Sequence, residues 1–273
     1  MRLSLVTDFW RLPRKKTYNA RREIRGALFG DQEMKPQTRS FRLIPAVVLS
    51  LLAAALSEAG APAVLRSVSF HDDFSSAKLD LWLLPYPEDW EILGEGAQHY
   101  LHMKRNREPG VPRRPLQFAR LKGVNMASFE LSARVRREGS SMIIVFNYVD
   151  TMHFYYTHLS KDPGAEQAVH NGIFIVNGAP RVRIAGLEAP PALPDRNWHR
   201  VHILREALTG AIKVYMDENK EPIFSLNDTT FRCGQLGLGS FDETGDFADV
   251  KLEAQDVDCA PGGKVAVRPA SGE

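Results

Sequence analysis

FELSARVRRE (residues 129–138) and SMIIVFNYVD (residues 141–150) stand one Gly-Ser pair apart. In the first, Phe129, Leu131, Ala133 and Val135 alternate with Glu130, Ser132, Arg134 and Arg136. Side chains on an extended chain point to opposite faces in turn, so this period of two describes a strand with one face buried and one wet. The second stretch is apolar at nearly every position, as expected of a central strand covered on both faces.

Working outward, the pattern repeats in HFYYTHLS (153–160), NGIFIVNG (171–178), PRVRIAG (180–186), EPIFSLND (221–228), GQLGLGSF (234–241) and FADVKLEA (247–254). NWHRVHILRE (197–206) and GAIKVYMDE (210–218) are joined by ALTG, a hairpin signal. Short Asp, Pro, Gly and Asn breaks separate the runs, and LPYPEDW, NREPGVPRRP and AGLEAPPALPDRN are Pro-rich connections. Helical periodicity is almost absent from Phe70 onward. About a dozen short strands without a convincing helix predict an all-β fold, a two-sheet antiparallel jelly-roll β-sandwich over residues 64–256.

The ends read differently. Residues 1–33 are basic with no sustained apolar period, and Met34 offers a second beginning. Lys35, Arg39 and Arg42 then precede the apolar run LIPAVVLSLLAAAL (43–56), followed by the small residues of SEAGAPAV. That order predicts a secretory signal peptide over 34–63, with 1–33 a mis-called start. The apolar run spans about 21 Å as a helix, short of a bilayer core of about 30 Å, so no stable membrane insertion is expected after cleavage. Residues 257–273 are expected to form a loose tail.

Of 35 basic and 33 acidic side chains, residues 1–63 hold 11 and 5; the remainder has 24 against 28, a net charge of −4. A mildly acidic domain gives no electrostatic reason to expect nucleic acid. Cys233 and Cys259, the two cysteines of the chain, flank the last strands. They would pair in an oxidising compartment and remain two buried thiols otherwise.

Three stretches carry a resemblance. NWHRVHILREALTGAIKVYMDENKEPIFSLND resembles the laminin-G-type hairpin. GQLGLGSFDETGDFADVKLEA is similar to the closing strand pair of the same fold, and FHDDFSSAKLDLW to its opening strand. Together they cover about residues 68–255 and resemble the concanavalin A-like lectin/glucanase superfamily. Within it, the nearest likeness is to secreted bacterial 3-keto-disaccharide hydrolase-like proteins. The resemblance implies a carbohydrate-binding protein and no catalytic residue that can be aligned. Laminarinase-type members carry Glu-x-Asp-x-x-Glu on one strand, which this chain lacks. Its central strands 141–160 and 171–186 hold a single carboxylate, Asp150, so hydrolysis by a same-strand carboxylate pair is disfavoured.

Candidate site residues come from the His–Tyr strand. Alternation puts Phe154, Tyr156 and His158 on one face and His153, Tyr155, Thr157 and Leu159 on the other. A metal site built from both histidines of this strand is therefore not expected. Rings that stack on pyranose faces and polar side chains that bond hydroxyls suit sugar binding. The face bearing His153 and Tyr155 is taken as the sugar face, extended by Asn147, His170, Asn171 and Arg181. The alternative is that these rings fill a core. His153, Tyr155 and His170 are candidates for acid or base in cleaving a glycosidic linkage by proton withdrawal beside a carbonyl or carboxylate. Asn147, Asn171 and Arg181 are candidates for substrate contact, Asn171 and Arg181 also for charge stabilisation. The competing reading is a glycan- or protein-binding module without catalysis. No cofactor is expected, although the acidic stretch DETGDFAD (Asp242–Asp249) offers hard oxygens of the kind Ca²⁺ takes, against a plain solvated loop. His99 and His102 read as surface or rim residues.

Overall fold

The computed structural model describes residues 66–266. The expected leader (1–33), the signal peptide (34–63) and the chain beyond 266 lie outside the described residues. Among the described residues no helix is long and apolar enough to cross a membrane.

Two antiparallel sheets face each other. The eight-stranded sheet runs β13 (Phe224–Asn227), β12 (Ala211–Met216), β11 (His199–Arg205), β6 (Met126–Arg137), β15 (Gly245–Asp256), β4 (Gln98–Met103) and β3 (Trp90–Glu95). Its remaining strand, β1 (Arg66–Asp72), pairs with the far half of β15. The seven-stranded sheet runs β10 (Val182–Ala185), β9 (Gly172–Asn177), β8 (His153–Ser160), β7 (Ser141–Asp150), β14 (Gln235–Ser240), β5 (Gln117–Leu121) and β2 (Trp82–Leu83). This is the expected jelly-roll sandwich, and one turn of 3₁₀ helix at Pro87–Asp89 is its one described helical piece.

The alternation of FELSARVRRE holds residue by residue. Phe129, Leu131, Ala133 and Val135 enter the core between the sheets, while Arg134 and Arg136 face outward, half-buried. The hairpin read from ALTG is the β11–β12 pair, in register from Val201↔Met216 to Arg205↔Ile212. β7 is covered on both faces: Met142, Ile144 and Phe146 join the inter-sheet core, and Ile143, Val145 and Tyr148 join a second apolar cluster on the outer side. Burying each such side chain stabilises by about 1.5–3 kcal/mol, so β7 anchors the sheet from both sides.

That second cluster, with Phe118, Phe154, Tyr156, Phe174 and Phe241, carpets the outer face of the seven-stranded sheet. Gly237 and Gly239 of β14 let it close. A Cβ on Gly239 would stand 2.2 Å from the Gln117 carbonyl oxygen, and one on Gly237 2.7 Å from the Phe118 ring. The connection from β4 to β5 (residues 104–116) is held against this sheet. Arg114 Nε donates to the Thr151 carbonyl (2.7 Å) and Arg181 N to the Arg113 carbonyl (3.0 Å).

Cys233 and Cys259 are joined by a disulfide, Cα–Cα 5.8 Å. The segment just past β15 is not the loose tail expected: β16 (Cys259–Ala260) pairs with β17 (Lys264–Val265) in a short ribbon. The bridge and the Val257–Cys233 packing tie this ribbon to the body. The acidic stretch also differs from expectation. Its second half is part of β15, where Asp246 is bonded to His102 and Arg136, and Asp249 to His71 and Lys251.

Candidate carbohydrate-binding face

The expected site comes apart. β8 alternates as read, but the face of His153 and Tyr155 is the one that meets the other sheet. Tyr155 is sealed in the inter-sheet core, stacked on Phe146 (5.7 Å) and edge-on to Phe231 (5.2 Å). Its hydroxyl donates to Asp228 Oδ1 (2.5 Å) and accepts from Phe231 N (3.1 Å). Burial and the Asp228 carboxylate push the phenol up to about 12. A sealed phenol cannot touch a sugar, which corrects its role as acid or base.

His153 sits half-exposed at the start of β8, bonded through Nδ1 to the Asp150 carboxylate (2.8 Å). It pairs with Asn177, whereas His158, five residues on, pairs with Gly172 and lies 5.2 Å from the His170 ring. At about 3.3 Å per residue, His153 lies about 17 Å along the strand from His158, the residue beside His170. His153 and His170 do not act on one bond. Asn147 is buried at positive φ (45°), and its Nδ2 donates to the Met126 carbonyl (3.0 Å). Asn171 is also buried; its Oδ1 accepts from Ser160 N and Ala192 N, and its Nδ2 donates to the Pro190 carbonyl (2.6 Å). Asn147 ties β7 to β6, Asn171 ties a loop to β8, and neither meets solvent, which corrects their reading as substrate contacts.

His170 and Arg181 do come together, with the opposite face of β8. Arg181 Nη1 donates to the Tyr156 hydroxyl (2.9 Å) and to His158 Nδ1 (3.2 Å), while His170 Nδ1 bonds Asp162 (3.0 Å). Tyr156 and His158 are wholly buried, so this group is a polar cluster beneath the 104–116 connection and not an open cleft.

An open, ring-bearing surface lies on the outer face of the eight-stranded sheet. Trp198, the residue before β11, is half-exposed. The Arg136 guanidinium carbon lies 4.5 Å from its ring centre and that of Arg134 5.1 Å. Tyr100 of β4 meets it edge-on at 5.5 Å. Register explains the meeting: Arg136 opposes Asp246 and Arg134 opposes Ala248 on β15. The small Ala248 leaves room between the long side chains of its neighbours.

β15 bulges just there, with a register shift between Ala248 and Lys251 and Asp249 at φ 48°. Bulges add a residue to one strand and re-aim side chains; strained non-glycine residues cluster at sites of function. Here the bulge lies beside a hollow of about 230 Å³ lined by Asp249, Asp73, Gln98, His99, Arg134 and Arg200. A second hollow of about 310 Å³ is lined by Arg136, Arg137, Glu138, Arg196 and Asp246. The indole rests on Arg134, which lines the first, and Arg136, which lines the second.

These side chains are held in place. Arg136 Nε donates to Asp246 (2.7 Å), Arg136 Nη1 to Glu95 (3.1 Å) and Arg134 Nη1 to Gln98. Arg200 Nη1 donates to Ser132 Oγ (3.2 Å) and lies 3.6 Å from the Asp249 carboxylate. Asp73 is held low by its bonds to Ser75. Burial raises Asp249, but Lys251 and His71 outweigh it and the acid is lowered. Both acids are therefore ionised at neutral pH, and in the first hollow Arg134 and Arg200 balance Asp73 and Asp249.

Larger hollows exist, of about 700 Å³ beside Leu208 and about 620 Å³ beside the 186–194 connection. The first has no aromatic lining, and the one ring of the second, Phe224, is 1% exposed. Neither offers a sugar a ring to stack on.

No family model matches the chain, and no curated protein matches it. Among solved structures it is similar to the carbohydrate-binding module CBM66 of Bacillus subtilis, at 16% identity and TM-score 0.47, over 64% of this chain and 96% of that one. It is also similar to a candidate glycosyl hydrolase from Parabacteroides distasonis (13%, TM-score 0.48, 68% and 99%). A third is winged bean acidic lectin complexed with methyl-α-D-galactose (11%, TM-score 0.47, 70% and 100%). These are jelly rolls of the concanavalin A-like kind. At such identity no site residue carries over.

The sequence reading missed Trp198, Tyr100 and the paired arginines as a unit. Alternation puts Arg134 and Arg136 on a wet face, and Trp198 stands at the head of the hairpin. Only strand register brings them together.

Proposed function

We propose that the protein is an exported carbohydrate-binding module that takes a neutral sugar residue on the outer face of its eight-stranded sheet. The observation that carries this reading is the Trp198 indole, half-exposed and set against Arg134 and Arg136 beside a charge-balanced hollow. A sugar hydroxyl both donates and accepts, so a lining that interleaves guanidinium and carboxylate groups serves vicinal hydroxyls from both sides. Equal numbers of cations and anions in the hollow favour a neutral sugar over an anionic one. Its volume suits a single hexose unit, so affinity for longer chains would grow through neighbouring contacts.

Binding without cleavage is the better reading. The expected chemistry needed His153, Tyr155 and His170 within hydrogen-bond reach of one substrate; two lie at opposite ends of β8 and the third is sealed. Export is supported by the Cys233–Cys259 bridge, since disulfides persist in oxidising compartments.

The test is titration of the 64–273 domain with a panel of neutral oligosaccharides, alongside Trp198→Ala. Saturable binding that weakens at least tenfold in the variant, with no product formed, is expected. Binding unaffected by the substitution, or product formation from a bound glycan, would contradict the reading.

A further inference from the structure

Arg181 is 91% buried, and its Nη2 is sealed from solvent with no hydrogen-bond partner. Its guanidinium lies 3.7 Å over the Phe241 ring and 5.1 Å from Phe174. Arg113, reaching in from the 104–116 connection, lies over the same Phe241 ring at 4.8 Å. One phenyl ring thus carries two cations. Among the described residues Arg181 forms no ion pair, and the acid within reach of Arg113 is Asp242 at 3.8 Å.

The two groups bonded to Arg181 add no negative charge. Tyr156 and His158 accept from Arg181 Nη1 as neutral groups. Burial, with the charges of Arg181, His170 and Arg113, pushes His158 well below its ordinary value. Since Nδ1 accepts from Arg181, Nε2 carries the proton and donates to Ser141 Oγ (2.8 Å). The remaining acid, Asp162, is engaged by His170 and Ser160. A guanidinium withdrawn from water costs free energy unless an anion or a full set of acceptors replaces the solvent. Arg181 has two acceptors on Nη1 and none on Nη2.

We propose that Arg181, with Arg113 across the Phe241 ring, binds a small carboxylate that enters where the half-exposed Arg113 closes the niche. A carboxylate presents two oxygens in the plane of a guanidinium and pairs with it side by side. Its arrival completes Nη2 and offsets the two stacked cations. Entry needs Arg113 to swing outward, which its exposed side chain permits. This site stands on the opposite sheet from Trp198 and does not depend on the neutral-sugar reading.

The same group is offered by a free organic acid or by a uronic acid residue, so acetate and glucuronate serve as probes, at constant ionic strength with chloride as control. Binding is read from the thermal midpoint and from the ¹⁵N-labelled Arg181 side-chain resonances. Either probe is expected to raise the midpoint saturably and shift the Arg181 resonances, and the tighter of the two identifies the source. Arg113→Gln should weaken binding at least tenfold, and Arg181→Met should abolish it. If Arg181→Met fails to fold, Arg113→Gln and the Arg181 resonances in the unaltered protein decide. No saturable shift of those resonances with either probe, or affinity unchanged in Arg113→Gln, overturns the proposal.

Discussion

Trp198 and Arg136 meet across the seam between β11 and β6, the guanidinium carbon 4.5 Å from the indole ring centre. Asp246 and Glu95 hold that guanidinium through its Nε and Nη1, so the ring rests on a fixed support. Trp198→Ala removes the ring without opening the core. It is expected to weaken neutral-glycan binding at least tenfold, about 1.4 kcal/mol, with the thermal midpoint nearly unchanged. Titration calorimetry alongside a thermal melt checks both halves.

Tyr155→Phe separates core from site. The substitution deletes a hydroxyl that donates to Asp228 and accepts from Phe231 N, leaving the buried Phe231 N without its acceptor while Asp228 keeps its bond from Thr230 N. A loss of about 1–3 kcal/mol in urea unfolding is expected, with glycan affinity intact. A drop in affinity without loss of stability would return Tyr155 to the binding surface.

Stability should peak near pH 6.5, with a histidine acting on each side. For His199, burial pulls the imidazole down, but Asp217 and Asp195 outweigh it and the folded value is raised. For His102 the bond to Asp246 raises it. A raised folded value means stabilisation that is full below the unfolded value of about 6.5 and fades as pH climbs through the folded one. His158 is lowered by burial, Arg181, His170 and Arg113, so its contribution is present above about 6.5 and fades as pH falls. Urea midpoints from pH 5 to 9 check this. His199→Gln should flatten the alkaline limb; a midpoint still rising at pH 8 would contradict it.

The Cys233–Cys259 bridge spans 26 residues. On the chain-entropy account, cleaving such a loop lowers stability by about 3–4 kcal/mol. Urea unfolding with and without reductant, and of the double Cys→Ser variant, reads the loss. Equal midpoints would remove the bridge as a stabilising element.

The fold was legible because its signals are local. FELSARVRRE fixes its own alternation, ALTG its own hairpin, and both survive intact in β6 and β11–β12. The site was not legible, because period two tells which residues share a face but not which face meets the partner sheet. Tyr155 and Tyr156 are chemically alike, and only packing sends one into the inter-sheet core and the other beneath Arg181. SMIIVFNYVD held a usable warning: a strand apolar on both faces implies that its neighbour β8 is covered on both as well. Trp198 lies about sixty residues from Arg134 and Arg136 in the chain, and Tyr100 more than thirty residues before them. Such neighbours are set by strand register, which no local pattern encodes.

The most direct measurement follows the indole N–H of Trp198 in a ¹⁵N-labelled domain as a neutral oligosaccharide is added. The account predicts a saturable shift of that resonance, together with the side-chain resonances of Arg134 and Arg200, while those of His153 and His170 stay still. Saturable shifts confined to the histidines, with the Trp198 resonance unmoved, would contradict it.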